Sequence, residues 1–445
     1  MILFLHRKDL RTEDLPAYEY ILRRGRPSLH VLILDPQLLA GGRAEEHSGR
    51  SFLRHAARLE AEYRRLGGYL AVLYGDPAEV TEQLCRRLAI EELVLHRDVT
   101  PYALQRDERI RLAADQLGLP VVTFDEGPLA DVDEFQAYAA RGGKTTPYKV
   151  FTPYYQKWSS FLALYAPAPY PASVSQLSIV KSDELDDELL QRLAPPFDWR
   201  AAGEEEHPAE ALQHFLNGGL AAYADTRDRY ALEGTSGISR HLNCGALSIR
   251  QAYASVTASP VGEVWRRQLA WRDFYLYQAR HDESFFRYEE QLDLSLLSDR
   301  FLEAWQCGET GIPIIDAAMT ELHTTGRMPN RLRMITAMFL TKNLLCPFTL
   351  GEQYFRLKLA DYDRVLNRGG WLWSASLGFD AAPYFRIMNP VTQSQTHDPT
   401  GAYIRRWLPQ LRMLSDKEIH LPRPQAIVDL KASRARAIEV YKHLR

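Results

Sequence analysis

The chain has 445 residues, of which 46% are hydrophobic and 25% charged, the balance of a globular protein with room for two or three domains. A formal net charge of −3 excludes bulk charge as a sign of a nucleic-acid partner, so any DNA-binding face has to be argued locally. No apolar run approaches the roughly 18 residues that span a bilayer, and no membrane association is expected. Met1 to Leu5 runs directly into His6, Arg7, Lys8 and Asp9, too short a start for a secretory signal, which implies a cytoplasmic protein. Cys85, Cys244, Cys307 and Cys346 are scattered without metal-ligand spacing. They read as small buried apolar residues, and no metal site is expected.

In chain order, short runs rich in Leu, Val and Ile at 2–6, 29–35, 70–74, 92–96 and 121–124 read as strands buried on both faces. Helical patterns at 51–66, 77–88 and 104–117 lie between them. The first of these places Phe52, Leu53, Ala56, Leu59, Tyr63 and Leu66 at helical spacing. Alternation of this kind predicts a Rossmann-like α/β domain over 1–126, a parallel sheet with helices on both faces. No Gly-x-Gly-x-x-Gly follows the first strand, so a nicotinamide-type site is unsupported. Residues 127–207 lose the alternation and carry Pro167, Pro169, Pro171, Pro195 and Pro196. They read as an inter-domain connection draped over the surface. From 208 to 445 the pattern is helical throughout, predicting an all-α second domain.

Four stretches of the second half carry chemistry. Glu233-Gly234-Thr235-Ser236-Gly237-Ile238-Ser239 precedes an apolar helical pattern at 242–256. Glycines and hydroxyls at a helix start suit a phosphate, and also suit an ordinary helix cap. Gln268, Trp271, Arg272 and Tyr275 recur at three- and four-residue steps. They line one helix face that could stack on a planar ligand, or form an aromatic core stripe edged by solvated arginines. The third stretch is Met328-Pro329-Asn330-Arg331-Leu332-Arg333-Met334. The fourth runs from Asp361 through Asp363, Asn367, Gly369-Gly370-Trp371-Leu372-Trp373 and Asp380-Ala381-Ala382-Pro383-Tyr384-Phe385-Arg386 to Asn389-Pro390. Asp361, Asp363 and Asn367 are short polar side chains in an apolar, helix-compatible region and need partners if buried. Arg333 suits Asp361 as a bidentate guanidinium–carboxylate pair. A solvated polar face fits the same spacing.

Together these stretches resemble the signature of the photolyase/cryptochrome family, specifically the microbial class I cyclobutane-dimer photolyases. The likeness spans nearly the whole chain. His6-Arg7-Lys8-Asp9-Leu10-Arg11 resembles the N-terminal motif of the family, and Pro147-Tyr148-Lys149-Val150-Phe151-Thr152-Pro153 its inter-domain segment. The resemblance implies an α/β antenna domain and a helical FAD-binding catalytic domain, acting as a monomer on UV-damaged DNA. It implies that Tyr223, Thr235, Ser236 and Ser239 contact the ribityl–pyrophosphate part of FAD, with Arg272 and Asn330 lining the same pocket. Arg333 and Asp361 would lie against the isoalloxazine, with Asp363 beside them and Asn367 near N5. Trp271 would stack on a flipped pyrimidine dimer and Met334 would touch it. Arg227, Arg331 and Arg386 match basic positions that would bind DNA phosphates. The implied reaction is light-driven repair of cyclobutane pyrimidine dimers by electron transfer from reduced FAD.

Three departures bear on that expectation. Gln268 stands where cyclobutane-dimer enzymes usually carry glutamate; it keeps hydrogen-bonding capacity but supplies no proton or charge. The (6-4) photolyases share the glutamine but place histidines where this chain has Asn330 and Met334. In the family's three-tryptophan route for photoreduction, Trp371 is present, the middle position corresponds to Phe348 and the outer one to Ser295. Trp373 and Trp305 match a branch that would replace it. Arg106 stands at the position of a folate-holding glutamate, which leaves the antenna open between a deazaflavin, a flavin, a folate and an empty pocket. The rival readings are a cryptochrome-like blue-light receptor, against which stands the absence of a long tail after Pro390, and an electron-transfer flavoprotein unrelated to DNA.

Overall fold

The computed structural model describes residues 1–257 and 259–444. The chain forms two compact units. Residues 1–146, 156–216 and 237–276 make the first, and 147–155, 217–236 and 277 onward the second.

The first unit is built on five parallel strands: β1 (Ile2–His6), β2 (Ser28–Leu34), β3 (Ala71–Tyr74), β4 (Glu92–His96) and β5 (Val121–Phe124), in the order β3-β2-β1-β4-β5. All five residues of β1 are buried because helices cover both faces, which is why the strand reads as an unbroken apolar run. Side chains alternate across the sheet. Ile2, Phe4, Leu32 and Val94 pack with Tyr18 and Ile21 of the Pro16–Arg24 helix and Leu53 and Leu59 of the His47–Arg65 helix. Leu3, Leu5, Val31 and Leu93 pack on the opposite face with Val80 and Leu84 of the Pro77–Arg87 helix and Ile110 of the Pro101–Gln116 helix. Proline opens three of these four helices at the first turn, where its missing N–H costs nothing.

Residues 127–207 are not the surface-draped connection that their prolines suggest. They contain the Val132–Arg141 and Phe151–Leu164 helices. Phe151, Tyr154, Trp158, Phe161 and Leu162 are buried along one face of the latter. Further on, Ala172, Val174 and Trp199 enter one core of the first unit, and Leu189 and Leu193 enter the other. Apolar residues at helical spacing outweigh the prolines, which fall between the helices. The single helical pattern expected at 242–256 is also divided, into Ser239–Asn243 and Ile249–Thr257. Gly245 sits in the break at φ +70°, and a Cβ there would lie 2.0 Å from the Lys8 carbonyl oxygen, so only glycine fits.

The second unit is helical, with Pro313–Thr325, Asn330–Met338, Phe348–Lys358, Arg364–Ser374 and Leu430–Lys442 as its longer helices. A π-helical turn at Phe339–Asn343 follows the second of these. Gly351 lets two helices approach closely, since a Cβ there would fall 2.2 Å from the Trp371 ring. Among the described residues no helix is long and apolar enough to cross a membrane.

The π-helical turn buries Lys342 completely. Its Nζ donates to the Ala375 carbonyl at 3.3 Å and lies 3.2 Å from the centroid of the Tyr441 ring. Burial pushes the amine down to about 6 from 10.5, with the ring and the carbonyl pulling the other way. A lysine neutral in the fold but charged when unfolded takes up a proton on unfolding, so stability falls as pH drops from 10.5 towards 6. Lys342→Met is therefore expected to be more stable than the parent at pH 7, with the gap narrowing at pH 9. Denaturant midpoints at the two pH values check this, and a gap that does not change with pH contradicts it.

Candidate functional site

Within the second unit, Asp363 caps the Arg364–Ser374 helix by accepting the N–H groups of Val365 and Leu366 at 2.9 and 3.0 Å. This places Asp361 and Asp363 in the turn before the helix, and Asn367 in its first turns, 91% buried. The Asn367 amide donates through Nδ2 to the Glu352 carbonyl at 3.1 Å, which leaves its Oδ1 as an acceptor. The next residue, Arg368, is fully buried. It donates to the Glu352 carboxylate at 2.8 Å, to the Phe285 carbonyl at 3.1 Å and to Glu289.

The Asn330–Met338 helix begins directly after Pro329 and carries four predicted residues. Arg333 meets Asp361 as expected, but not as two parallel bonds. One nitrogen, Nη2, reaches both carboxylate oxygens at 2.9 Å, while Nε donates to the Met328 carbonyl at 2.7 Å. The backbone carbonyl takes the Nε donor that a side-on bidentate pair would use. Asn330 is exposed and its Nδ2 lies 3.6 Å from Sδ of Met334. Arg331 pairs with Asp228 at 2.7 Å. Burial works against the Asp228 carboxylate, yet Arg331 draws it below its ordinary range. Arg227 lies with its guanidinium 5.3 Å from the ring centre of buried Tyr223. Thr235 is exposed and Ser236 half-buried. Gly234 makes this loop possible, because a Cβ there would lie 2.5 Å from the Thr226 carbonyl oxygen. Arg386 is exposed, next to Tyr384 and Phe385.

Among the tryptophans, Trp371 and Trp305 are both buried, with ring centroids 6.1 Å apart. Trp373 is half-buried, and no ring contact to either is found among the described residues. The Trp305 indole N–H donates to the Thr336 carbonyl at 3.1 Å.

Within the first unit, Gln268, Trp271, Arg272 and Tyr275 are all half-buried on one face of the Glu263–His281 helix. Trp271 lies 5.9 Å from Tyr275 at a tilt of 32°, and edge-on to Phe274 at 5.7 Å. Arg272 donates to the Gly127 carbonyl, and Gln268 to that of Val264 at 3.2 Å. Ser239 is exposed at the start of a five-residue helix, so the glycine–hydroxyl loop does not open a long helix. The roll of the Glu263–His281 helix is set by Asp273, which is 1% exposed. Its carboxylate accepts the Leu129 and Ala130 N–H groups and the Trp158 indole N–H, at 2.9–3.0 Å. Burial raises its pKa despite these donors. Sequence reasoning missed both Asp273 and Arg368. In the sequence each looks like an ordinary helix-face charge, and only the fold shows it buried.

These residues fit a flavin. Oδ1 of Asn367 is an acceptor that would suit an N–H of a reduced isoalloxazine, and the Arg333–Asp361 pair is a charge that would suit the same group. Residues 265–443 match the family model described as the FAD binding domain of DNA photolyase, and residues 2–172 match that of DNA photolyase. A deoxyribodipyrimidine photo-lyase of Alkalihalophilus pseudofirmus is 35% identical over 437 residues, covering 94% of this chain and 88% of the relative. Among solved structures, a bacterial class III photolyase from Agrobacterium tumefaciens superimposes with a TM-score of 0.83 at 29% identity, over 99% of this chain and 97% of that one. An archaeal photolyase from Sulfolobus tokodaii, solved with two FAD molecules, does so with 0.83 at 26% identity over 100% of both. A Synechocystis cryptochrome follows at 0.81 and 25% identity over 99% of both. A parallel-sheet α/β unit with a helical FAD-binding domain is thus a fold shared with both photolyases and a cryptochrome. The chain belongs to the DNA photolyase family.

Asp273→Ala strands two buried backbone N–H groups and the Trp158 indole. At about 1–3 kcal/mol for each unsatisfied buried donor, a loss of about 3 kcal/mol or more is expected in denaturant unfolding. A loss under about 1 kcal/mol contradicts the role given to this carboxylate.

Proposed function

We propose that this protein repairs cyclobutane pyrimidine dimers in UV-damaged DNA, driven by light and dependent on reduced FAD. The observation that carries the reading is the likeness to a deoxyribodipyrimidine photo-lyase over 94% of the chain. The Asn367 acceptor, braced on Glu352, supports it. When bound and reduced, FAD supplies a light-absorbing electron donor for the dimer.

The chain's own residues do the rest. Tyr223, Thr235, Ser236 and Ser239 would hold the ribityl–pyrophosphate part of the cofactor, and Arg272 and Asn330 would contribute to its binding. Arg333, held by Asp361, would set the charge beside the isoalloxazine, with Asp363 close by, and Asn367 would lie near N5. Trp271 stacks on the flipped dimer and Met334 packs against it. A dimer is already poorly stacked, so flipping it costs less than flipping a paired base. Gln268 hydrogen-bonds the lesion without giving it a proton. Arg227, Arg331 and Arg386 bind phosphates, and the affinity they supply falls with salt. For photoreduction, Trp371 and Trp305 form the inner steps in place of the route broken at Phe348, and Trp373 belongs to the same branch. The protein acts as a cytoplasmic monomer, and the second-chromophore pocket of its α/β domain holds either a deazaflavin, a flavin or a folate, or stays empty. A cryptochrome-like receptor is the second reading, favoured by the Synechocystis structure.

The test is an oligonucleotide with a single cyclobutane thymine dimer, incubated with FAD-loaded, reduced protein. Recovery of thymine absorbance under blue or near-ultraviolet light, and none in the dark, is expected. Light without recovery, with FAD and DNA both bound, overturns the reading in favour of a receptor or of the (6-4) product. In the same assay Gln268→Glu is expected to raise the repair yield per absorbed photon. An unchanged yield removes any catalytic meaning from the glutamine.

A further inference from the structure

Of the arginines proposed to bind phosphates, two share one carboxylate within the second unit. Arg331 donates from Nε and Nη2 to the two oxygens of Asp228, at 3.2 and 2.7 Å. Arg227 brings its Nε to 4.0 Å from Oδ1 of the same group. The backbone fixes where that carboxylate points. Asp228 follows the short Tyr223–Thr226 helix. The Arg229 N–H donates to the Thr226 carbonyl at 2.9 Å, and the Tyr230 N–H to the His397 carbonyl at 3.3 Å. Tyr230 is buried, so the loop is anchored on both sides of Asp228.

The side chains of Arg331 and Asp228 are 28% and 32% exposed, open enough for a phosphate to reach the pair. An ion pair this wet adds little to stability and is readily exchanged. Asp228 opposes a phosphate whichever edge of the guanidinium the phosphate approaches. The side-on pair occupies Nε and Nη2 of Arg331. A phosphate therefore displaces the carboxylate or sits beside it on the Nη1 edge. The first breaks an ion pair, and the second crowds two anions onto one cation. A carboxylate tethered to the same chain competes at a high effective concentration. Salt dependence changes too. A phosphate that displaces Asp228 releases cations from the DNA, but the freed carboxylate gathers cations in return, so the exchange releases few ions overall.

We propose that Asp228 is an internal competitor of DNA phosphate at Arg331 and Arg227, lowering the affinity for DNA and shortening its residence so that repaired DNA leaves. The inference rests on the phosphate-binding role given to these two arginines under the proposed function. The same pair has to be exchanged on damaged and on undamaged DNA, so Asp228 limits affinity without setting lesion preference.

The experiment uses the full FAD-loaded chain in the dark. Fluorescence anisotropy follows binding to a labelled duplex with one thymine dimer and to its undamaged counterpart, from about 50 to about 200 mM salt. Asp228→Asn keeps the shape and an acceptor oxygen but removes the charge. It is expected to bind both duplexes at least about threefold more tightly than the parent at the lowest salt, with flavin content unchanged. The slope of log affinity against log salt is expected to steepen by about 0.9. Dissociation, chased with unlabelled duplex, is expected to slow by a similar factor. Asp228→Glu restores the charge and is expected to bind as the parent does. Asp225→Asn removes an exposed charge from the preceding short helix and is expected to gain less and to leave the slope unchanged. Weaker binding by Asp228→Asn would make the carboxylate a support for Arg331 and overturn the proposal. An unchanged salt slope, or an equal gain in Asp225→Asn, overturns it as well. A parent that binds neither duplex removes the phosphate-binding role itself and the competitor with it. A parent that binds DNA no differently from Asp228→Asn removes the competitor alone.

Discussion

The buried guanidinium of Arg368 is the constraint on which the second unit depends. A fully buried charge is costly unless its hydrogen bonds are met, and Arg368 meets them through Glu352, Glu289 and the Phe285 carbonyl. Glu352 serves twice more. Its carboxylate also receives Arg364 at 3.1 Å, and its backbone carbonyl takes the Asn367 amide. The Phe348–Lys358 and Arg364–Ser374 helices are thereby locked in register. Gly351 lets the Trp371 ring settle between them, and Trp371 in turn meets Trp305. One buried ionic cluster thus fixes both the amide acceptor and the first tryptophan.

The first unit applies the same device with a carboxylate. Asp273 faces inward and takes three N–H donors, so the opposite face of its helix presents Gln268, Trp271, Arg272 and Tyr275 half-exposed. In the α/β core, Asp9 does comparable work below β1. It is met by His6 at 2.9 Å and by His96, which hold its carboxylate well below the ordinary range although burial opposes the charge. In each case a polar group that is expensive to bury is retained where it sets an orientation that apolar packing leaves loose.

The sheet was legible because strands covered on both faces leave an unbroken apolar signature. Two of the five expected spans differed from the observed strands, one shifted by a residue at both ends and the other longer by a residue at its start. Residues 127–207 were misread because prolines mark breaks, while Phe151, Tyr154, Trp158 and Phe161 mark a helix between the breaks. Arg333 and Asp361 were legible as a pair, since both stand out in apolar surroundings, but not the way a backbone carbonyl divides the guanidinium. Arg368 and Glu352 were not legible. Sixteen positions apart, each looks like a charge on a solvated helix face, and only folding shows that both are buried.

The most direct measurement is on Asn367→Leu, which removes the amide acceptor and keeps the volume similar. The account predicts that the variant still binds FAD stoichiometrically, that its reduced flavin reoxidises faster in air, and that its light-driven repair of a thymine dimer falls at least about tenfold. Unchanged reoxidation and repair, with flavin content equal to the parent, would contradict the role given to the Arg368–Glu352–Asn367 frame.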